Sequence, residues 1–356
     1  TDVEAVAVVD TVSPDLAASG IEITAANLND ATNTSVVTIT FTEAVTEFNN
    51  SDITVTGGTL STVGSNDGGV TWLGIFTASD DSTANGTITI GTDYQDLVGN
   101  VGADGGTDSV VVDTINPTAT VTFAEDGLDD DTNESLVTIV FSEAVANFSN
   151  ADVSVVGGTL GTLTSADQIT WTATFTASDD STEEASVTVI GEYEDNVGNI
   201  GATGADDTAT VDTTNPTATI VFDQTSLKKE TGSDGADESV VTITFSEGVT
   251  AFSNEDLVVE GGTLTELTSN ASNTVWTGTF TATDDSTTNA KVKFADAANY
   301  TDVTGNDGAT DVEAVAVVDT VSPDLAASGI EITAANLNDA TNTSVVTITF
   351  TEAVTE

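Results

Sequence analysis

The chain repeats itself with a period of about 100 residues, and this repetition limits its possible folds more than any other feature. The motif Asp-Thr-x-x-Pro begins at Asp10, Asp113, Asp212 and Asp319. A period of this length fits one small domain per copy, because solenoid repeats have only about 20–50 residues. We therefore predict the last strand of a preceding repeat at 1–9, complete repeats at 10–112, 113–211 and 212–318, and the first strands of a fourth repeat at 319–356.

A second, longer repeat is superimposed on the first. Residues 310–356 are identical to residues 1–47. The order of the units therefore starts again after the third, and we expect the native array to continue in blocks of three. The partial unit 319–356 is too short to bury a core of its own. We interpret it as the end of a piece cut from a longer array, with strand exchange between neighbouring chains as the alternative.

Each unit shows the alternation of half-buried β-strands. In VTITF, which starts at Val37, apolar side chains share one face and threonines share the other. Valine and threonine also favour extended backbone, and a Gly-Gly-Thr turn recurs in every unit. We predict an all-β fold of tandem immunoglobulin-like sandwiches arranged as a linear rod. About seven strands are expected per unit, in the first near 21–24, 36–41, 53–56, 59–63, 70–77, 86–90 and 107–112.

The charge of the chain excludes several classes of partner. It has 59 acidic and 4 basic residues, for a formal net charge of −55. Binding to nucleic acid or to an anionic membrane surface requires a basic patch, so neither is expected. The sequence has no run of 18 apolar residues, so we predict no membrane insertion in this segment. With neither histidine nor cysteine, it also offers no nucleophilic triad and no typical zinc site, and we predict that it is not an enzyme.

The acidic residues fall at the same loop positions in every unit. If the Gly-Gly turn reverses the chain, strand direction places the glutamate of F[ST]E[AG]V and the Asp-x-x-Gly-Asn loop at the base of each unit. The Asp-Asp-Ser-Thr loop then lies at the top, beside the linker aspartate. Carboxylates crowded there repel one another, at about 4 kcal/mol for a pair 4 Å apart. No lysine or arginine recurs at these positions, so we expect no ion pair from the chain itself.

A hard cation would relieve this repulsion. Ca²⁺ binds 6–8 oxygen ligands from carboxylates, amides and main chain, whereas Mg²⁺ prefers to keep its waters. We predict several Ca²⁺ ions per repeat or junction; the alternative is that the acids only solvate the surface, as we expect for Asp129, Asp130 and Asp131. The candidate ligands are Asp10, Glu43, Asp52, Asp80, Asp81, Asp96, Asn100, Asp113, Glu143, Asp152, Asp179, Asp180, Asp195, Asn199, Asp212, Glu247, Asp256, Asp284, Asp285, Asp302, Asn306, Asp319 and Glu352.

Each unit combines four motifs: Asp-Thr-x-x-Pro, F[ST]E[AG]V, Asp-Asp-Ser-Thr and Asp-x-x-Gly-Asn. With these motifs together, the chain resembles the bacterial immunoglobulin-like extender repeats of giant adhesins secreted by the type I pathway. These are the RTX and biofilm-associated adhesins, and the resemblance covers all 356 residues. It implies an extracellular location at the bacterial surface, with Ca²⁺ at the linkers between domains. The matching positions are the linker aspartates, the glutamates Glu43, Glu143 and Glu247, the paired aspartates, and the Asp and Asn of the Asp-x-x-Gly-Asn loops.

Three functions follow as hypotheses. The first is a calcium-rigidified spacer that holds an adhesive module away from the cell, with neighbouring repeats of the same chain as its partners. A variant is a self-assembling extracellular filament, in which identical chains also associate. The second is a ligand-binding adhesive module, for which the third unit, with all four lysines and a longer first loop at 223–239, is the candidate. The third is a carboxylate-pair glycosidase, which the absence of specialised aromatic residues argues against.

Overall fold

The computed structural model describes residues 9–191, 193–229, 236–295, 300–333, 336–337, 339–340 and 342–354. The expectation for residues 1–8 lies outside this part. The chain divides into two compact units. The first comprises Thr1–Gly127, Glu134–Ser178 and Glu183–Val211, and the second comprises Leu128–Asn133, Asp179–Thr182 and Asp212–Glu356.

The fold is all-β, as predicted, with the same succession of strands in each repeat. The first repeat contains β1 (Leu16–Ile23), β2 (Asn27–Leu28), β3 (Thr34–Phe41), β4 (Val45–Thr46), β5 (Ile53–Thr56), β6 (Gly58–Leu60), β7 (Gly64–Ser65), β8 (Thr71–Ala78), β9 (Gly86–Ile90), β10 (Gln95–Asp96) and β11 (Gly106–Val112). The second contains β12 (Ala119–Phe123), β13 (Gly127–Leu128), β14 (Glu134–Phe141), β15 (Val145–Ala146), β16 (Val153–Val156), β17 (Gly158–Leu160), β18 (Thr164–Ser165), β19 (Thr170–Ala177), β20 (Ala185–Val189), β21 (Glu194–Asp195) and β22 (Asp206–Val211).

The third repeat contains β23 (Ala218–Phe222), β24 (Ser226–Lys228), β25 (Glu238–Phe245), β26 (Val249–Thr250), β27 (Leu257–Glu260), β28 (Gly262–Leu264), β29 (Thr268–Ser269), β30 (Val275–Ala282), β31 (Ala290–Phe294), β32 (Thr301–Asp302) and β33 (Glu313–Asp319). β34 (Leu325–Ile332) and β35 (Val346–Phe350) follow. The short strands β2, β4, β7 and β10 of the first repeat were not predicted, because each has two residues, which give no periodic signal.

Two sheets form each sandwich. In the first repeat, one sheet has the order β1-β3-β8-β6, with β7 also on β8, and the other has the order β2-β11-β9-β5. The third repeat has the corresponding orders β23-β25-β30-β28 and β24-β33-β31-β27. The pair β2–β11 is parallel, whereas the longer ladders are antiparallel. A separate two-stranded ladder joins β4 to β10 and so brings two loops to the base of the repeat.

The core lies between the sheets and follows the predicted alternation. Val37, Ile39 and Phe41 of β3 are at most 2% exposed, and Phe76 of β8 is fully buried. Burying a side chain of this size contributes roughly 1.5–3 kcal/mol. Trp72 faces the same core and packs edge-on against Phe48, with ring centroids 5.3 Å apart, as expected for a structural tryptophan.

The Gly-Gly turn is a true reversal between the two sheets. β5 pairs with β9 in one sheet and β6 pairs with β8 in the other, so the chain changes sheets at Gly57 and Gly58. Gly57 has a φ of +70°, and a Cβ on it would lie 2.3 Å from the carbonyl oxygen of Asn85. Only glycine fits this position without strain. The assignment of the loops to the top and base of each repeat depends on this reversal.

The partial fourth unit forms a hairpin with an exposed apolar face. β34 pairs with β35, the two strands that were predicted there. Phe350 is 39% exposed, whereas Phe41, in the identical sequence of the first repeat, is 2% exposed. The difference arises because Phe48 and Tyr94 pack against Phe41 in the first repeat, with ring centroids 5.1 and 4.7 Å away. The described residues of the hairpin offer Phe350 no such neighbours.

Candidate metal centre

The Asp-x-x-Gly-Asn loops are organised around a buried aspartate. In the third repeat Oδ1 of Asp302 accepts hydrogen bonds from the main-chain N–H groups of Thr304, Gly305 and Asn306, at 2.8, 2.7 and 3.0 Å. Its Oδ2 accepts from Nδ2 of Asn306 at 2.8 Å. Desolvation by burial raises the pKa of Asp302, but the hydrogen bonds from Asn306, Thr304 and Gly305 outweigh it and hold the pKa below its ordinary value.

The corresponding aspartates of the other repeats have the same surroundings. Oδ1 of Asp96 accepts from the N–H groups of Val98, Gly99 and Asn100 at 2.7–2.9 Å. Desolvation also raises the pKa of Asp96, and the hydrogen bonds, first of all from Asn100, lower it overall. Oδ1 of Asp195 accepts from Val197 at 2.8 Å. Each loop therefore holds a carboxylate at a fixed position near the base of its repeat.

Three carboxylates converge at the base of every repeat. The linker supplies one aspartate, the turn after the second long strand (β3 in the first repeat) supplies a glutamate, and the Asp-x-x-Gly-Asn loop supplies the buried aspartate. One oxygen from each lies within 4.8 Å of the other two. We call these groups the carboxylate triads; they are Asp10–Glu43–Asp96, Asp113–Glu143–Asp195 and Asp212–Glu247–Asp302. They bring together nine of the predicted ligands.

The glutamate of each triad is electrostatically disfavoured as an anion. Desolvation by burial raises the pKa of Glu143 above its ordinary value of 4.5, and the charges of Asp113 and Asp195 raise it further. Desolvation likewise raises the pKa of Glu247, followed by Asp302 and Asp212. A raised pKa means that the folded chain holds the proton more tightly than the unfolded chain. Ionisation of the glutamate therefore costs stability as the pH rises through that raised pKa, unless a cation offsets the charge.

The triads fit a hard cation by their chemistry. All three donors are oxygens, and the sequence contains no histidine or cysteine. Among the described residues, the lysine ion pairs involve Asp284, Asp285 and Glu260, not triad members. Ca²⁺ favours such oxygen-rich, anionic sites, which need further ligands from water or main chain to reach six to eight.

A second set of predicted ligands has a different role. Asp52, Asp152 and Asp256 each close a short 3-10 helix, at Asn50–Asp52, Asn150–Asp152 and Asn254–Asp256. Oδ2 of each accepts the N–H of the N-cap residue at 2.8 Å, as in a capping box. These aspartates lie outside the triads.

The Asp-Asp-Ser-Thr loops form hydrogen bonds to the linker through their main chain. Thr114 donates through Oγ1 to the carbonyl oxygen of Ser79 at 2.8 Å, and the N–H of Ser82 donates back to Oγ1 at 3.0 Å. This confirms that the loop lies beside the linker. None of Asp80, Asp81, Asp179, Asp180, Asp284 or Asp285 belongs to a triad.

The backbone offers a local reason for the second aspartate of each pair. Asp81, Asp180 and Asp285 have φ values of 47°, 49° and 52°, in the left-handed region that aspartate tolerates better than most residues.

In the third repeat the expectation of no ion pair was wrong. Nζ of Lys229 lies 3.2 Å from Asp284 and 2.8 Å from Asp285.

The remaining predicted ligands are also outside the triads. The amide nitrogens of Asn100, Asn199 and Asn306 donate to the neighbouring loop aspartate at 2.7–2.8 Å. Asp319 ends β33, and Glu352 follows β35 in the partial fourth unit. Sequence reasoning also missed Asp130, which was expected to be plain surface. Its N–H donates to Oδ1 of Asn306 at 2.7 Å.

The repeats belong to the bacterial Ig-like domain family, whose model matches residues 10–112, 113–211 and 212–317. The chain is thus a tandem array of three such domains. A comparison with curated protein sequences finds no match. In the described part of the chain, no helix has the length and hydrophobicity that crossing a bilayer requires.

The comparison with solved structures finds matches of low sequence identity and low TM-score. Invasin, described as a bacterial integrin-binding protein, is 14% identical over 88% of this chain, with a TM-score of 0.35. The chain spans 62% of the length of that structure. InvD of Yersinia pseudotuberculosis is 16% identical over 83% of this chain and 96% of its own, with a TM-score of 0.35. The surface layer protein SbsC, domains 1–6, is 13% identical over 95% of this chain and 59% of its own, with a TM-score of 0.20.

Proposed function

We propose that this chain is a non-catalytic spacer from a bacterial surface adhesin, and that Ca²⁺ bound at the carboxylate triads stiffens it. The observation that carries the proposal is the recurrence of one triad, built from the same three elements, at the base of each repeat. The linker aspartate belongs to every triad, so a bound ion would tie the linker to the body of the domain that follows it. Such a tie restricts the motion of one repeat against the next.

Family membership and the motif resemblance support the extracellular part of the proposal. Bacterial Ig-like domains in tandem suit a role in which length is the useful property. The acidic surface and the lack of cysteine and histidine give no support to a catalytic role. We assign the chain to the outer surface of a bacterium, in an adhesin of the type I secreted class that serves attachment or biofilm formation.

Calcium removal tests the proposal directly. We expect small-angle scattering of the full chain in millimolar Ca²⁺ to show a larger radius of gyration and a stiffer profile than in EDTA. We also expect calorimetric titration to detect binding in the affinity range of extracellular calcium sites, about 10⁻⁴–10⁻³ M. At a concentration 100 times the dissociation constant, each site would add about 2.7 kcal/mol of stability. Identical profiles and melting curves in both conditions would refute it.

Neutralising the triad glutamate should have opposite effects with and without calcium. In EDTA, Glu143→Gln is expected to raise the melting temperature, because it removes an anion whose pKa is raised by desolvation and by two neighbouring aspartates. In Ca²⁺ it should lower the melting temperature relative to the parent, with affinity weakened roughly tenfold or more by the lost charge. Differential scanning calorimetry in both buffers measures this reversal.

The matched control is Glu134→Gln, which makes the same charge change at an exposed position of β14 in the same repeat. It should shift both melting temperatures equally and slightly. If Glu143→Gln instead destabilised the repeat by the same amount in both buffers, the triad would be a structural cluster with no calcium role.

Lateral assembly into a filament is a second candidate that one observation favours. The outer face of the first repeat carries Val36, Leu73 and Ile75, which are 45–51% exposed, and Val36 is the cross-strand partner of Ile75. The second repeat has threonine at both positions that match Leu73 and Ile75. Analytical ultracentrifugation of the parent and of Leu73→Thr/Ile75→Thr tests this variant. Association that the double substitution abolishes would support the filament, and a monomeric parent would remove it.

A further inference from the structure

The asparagine of the Asp-x-x-Gly-Asn loop contacts more than its own loop. Asn199 is 1% exposed. Its Nδ2 donates to Oδ2 of Asp195 at 2.7 Å and to the linker carbonyl oxygen of Asp113 at 2.9 Å. Its Oδ1 accepts the main-chain N–H of Asp30, in the loop after β2 of the preceding repeat, at 2.7 Å. One side chain thus joins its own loop, the linker and the neighbouring domain.

The same arrangement recurs in the other compact unit. Nδ2 of Asn306 donates to Oδ2 of Asp302 and to the linker carbonyl oxygen of Asp212, both at 2.8 Å. Its Oδ1 accepts the N–H of Asp130 at 2.7 Å. Two independent junctions therefore repeat three contacts to within 0.1 Å.

The glycine before each asparagine gives the preceding loop room to approach. Gly198 has a φ of +91°, and a Cβ on it would lie 3.2 Å from Nδ2 of Asn29. That same Nδ2 donates to the carbonyl oxygen of Val197 at 2.7 Å. At the second junction a Cβ on Gly305 would lie 3.6 Å from Oδ2 of Asp129. A Cβ at Gly198 would thus crowd the neighbouring loop, whereas one at Gly305 would make an ordinary contact with it.

We propose that Asn199 and Asn306 are positioning residues that latch each repeat to the one before it through a main-chain N–H, independently of any metal. This inference deepens the proposed spacer function, because it names a second device that fixes the angle between domains. It assigns the amide oxygens of the two asparagines to the preceding repeat, since each accepts a main-chain N–H from it. Without calcium, the junctions should therefore remain partly docked.

Spin-label distances across the first junction provide the test. The native chain has no cysteine, so Thr54→Cys and Ser154→Cys, at exposed and equivalent positions of β5 and β16, give one label in each of two repeats. Double electron–electron resonance of the full chain in EDTA then gives the distribution of distances between the two labels. From it follows the fraction of molecules in which the first junction is undocked. Asn199→Ala is expected to raise the undocked fraction about tenfold, as expected for loss of a buried hydrogen bond.

A second variant removes the same bond from the other side. Asp30→Pro deletes the N–H donor and leaves the Asp195 loop intact. Residue 30 lies in an exposed turn that can accept proline, and the N–H of Thr32 closes this turn by donating to Oδ1 of Asn29 at 2.7 Å. If both variants act through one hydrogen bond, Asp30→Pro alone should also undock the junction, and the double variant should be no worse than either. Asn100→Ala is the matched control. It removes the corresponding bonds to Asp96 and Asp10, at 2.7 and 3.3 Å, at the base of the first repeat, away from the labelled junction.

Each outcome decides the latch. The latch is established if the two single variants broaden the distance distribution equally and the double variant broadens it no further. The control Asn100→Ala must leave the distribution unchanged. An unchanged distance distribution in Asn199→Ala or in Asp30→Pro, additive effects, or equal broadening by the control would overturn it. The parent in Ca²⁺ is a separate arm: if Ca²⁺ fails to narrow its distribution, the calcium proposal fails while the latch stands.

Discussion

Gly201→Ala is expected to destabilise the second repeat by about 3 kcal/mol. The added methyl group would lie 1.9 Å from Cε2 and 2.1 Å from Cζ of Tyr193. That ring is fully buried, and its hydroxyl donates to the carbonyl oxygen of Ala202 at 2.8 Å. It cannot retreat, because Phe141 packs against it with a centroid distance of 4.8 Å. Either the ring leaves the core or the loop that holds Asp195 moves.

Hydrogen exchange of the full chain, resolved by mass spectrometry, measures this effect repeat by repeat. Exchange should accelerate in residues 113–211 and stay unchanged elsewhere. Gly127→Ala, in the same repeat, is the matched control, because its methyl group would meet Oγ1 of Thr210 at an ordinary 3.4 Å. Equal exchange in the two variants would show that the core repacks around residue 201. The close approach of this residue to the Tyr193 ring would then contribute nothing to stability.

Asp302→Ala should be similarly costly, destabilising the third repeat by about 3 kcal/mol. The substitution leaves three main-chain N–H groups, those of Thr304, Gly305 and Asn306, without their acceptor. The loss does not depend on calcium, because these bonds exist within the loop itself. Chemical denaturation in EDTA is the measurement, since it isolates the third repeat from any metal effect.

Glu247→Ala is the comparison within the same triad. Its carboxylate has a pKa raised by desolvation and by Asp302 and Asp212, so its removal in EDTA should be neutral or stabilising. If Asp302→Ala and Glu247→Ala were both silent in EDTA and equally harmful in Ca²⁺, Asp302 would serve as a ligand only. The organising role that we assign to its hydrogen bonds would then be incorrect.

Strand alternation and strand direction were enough to predict much of this molecule. The alternation at Val37, Ile39 and Phe41 marks the core because successive side chains of a strand point to opposite faces. Counting strand reversals placed the linker aspartate, the triad glutamate and the loop aspartate at one end of each repeat. The carboxylate triads were thus foreseeable as groups, before any distance was known.

What sequence reasoning missed was mostly work done by the main chain. Asp30 and Asp130 contribute an N–H group to the junction, which any residue except proline would supply, so no side-chain pattern marks them. The capping role of Asp52 did have a signal, since Asn49 stands three residues before it as in a capping box. The spacing from Tyr193 to Gly201 recurs from Tyr94 to Gly102 and from Tyr300 to Gly308, but its meaning appears only when the ring and the loop are seen in contact.

A junction that is held by a main-chain N–H group depends little on the side chains of the neighbouring repeat. At the first junction the loop before the latch contains Asn29, and at the second it contains Asp129, yet the bond from the following residue is 2.7 Å in both. Repeats with different side chains can therefore follow one another without matched surfaces. Gene duplication or deletion can lengthen or shorten such an array by whole units, and every newly created boundary will already fit.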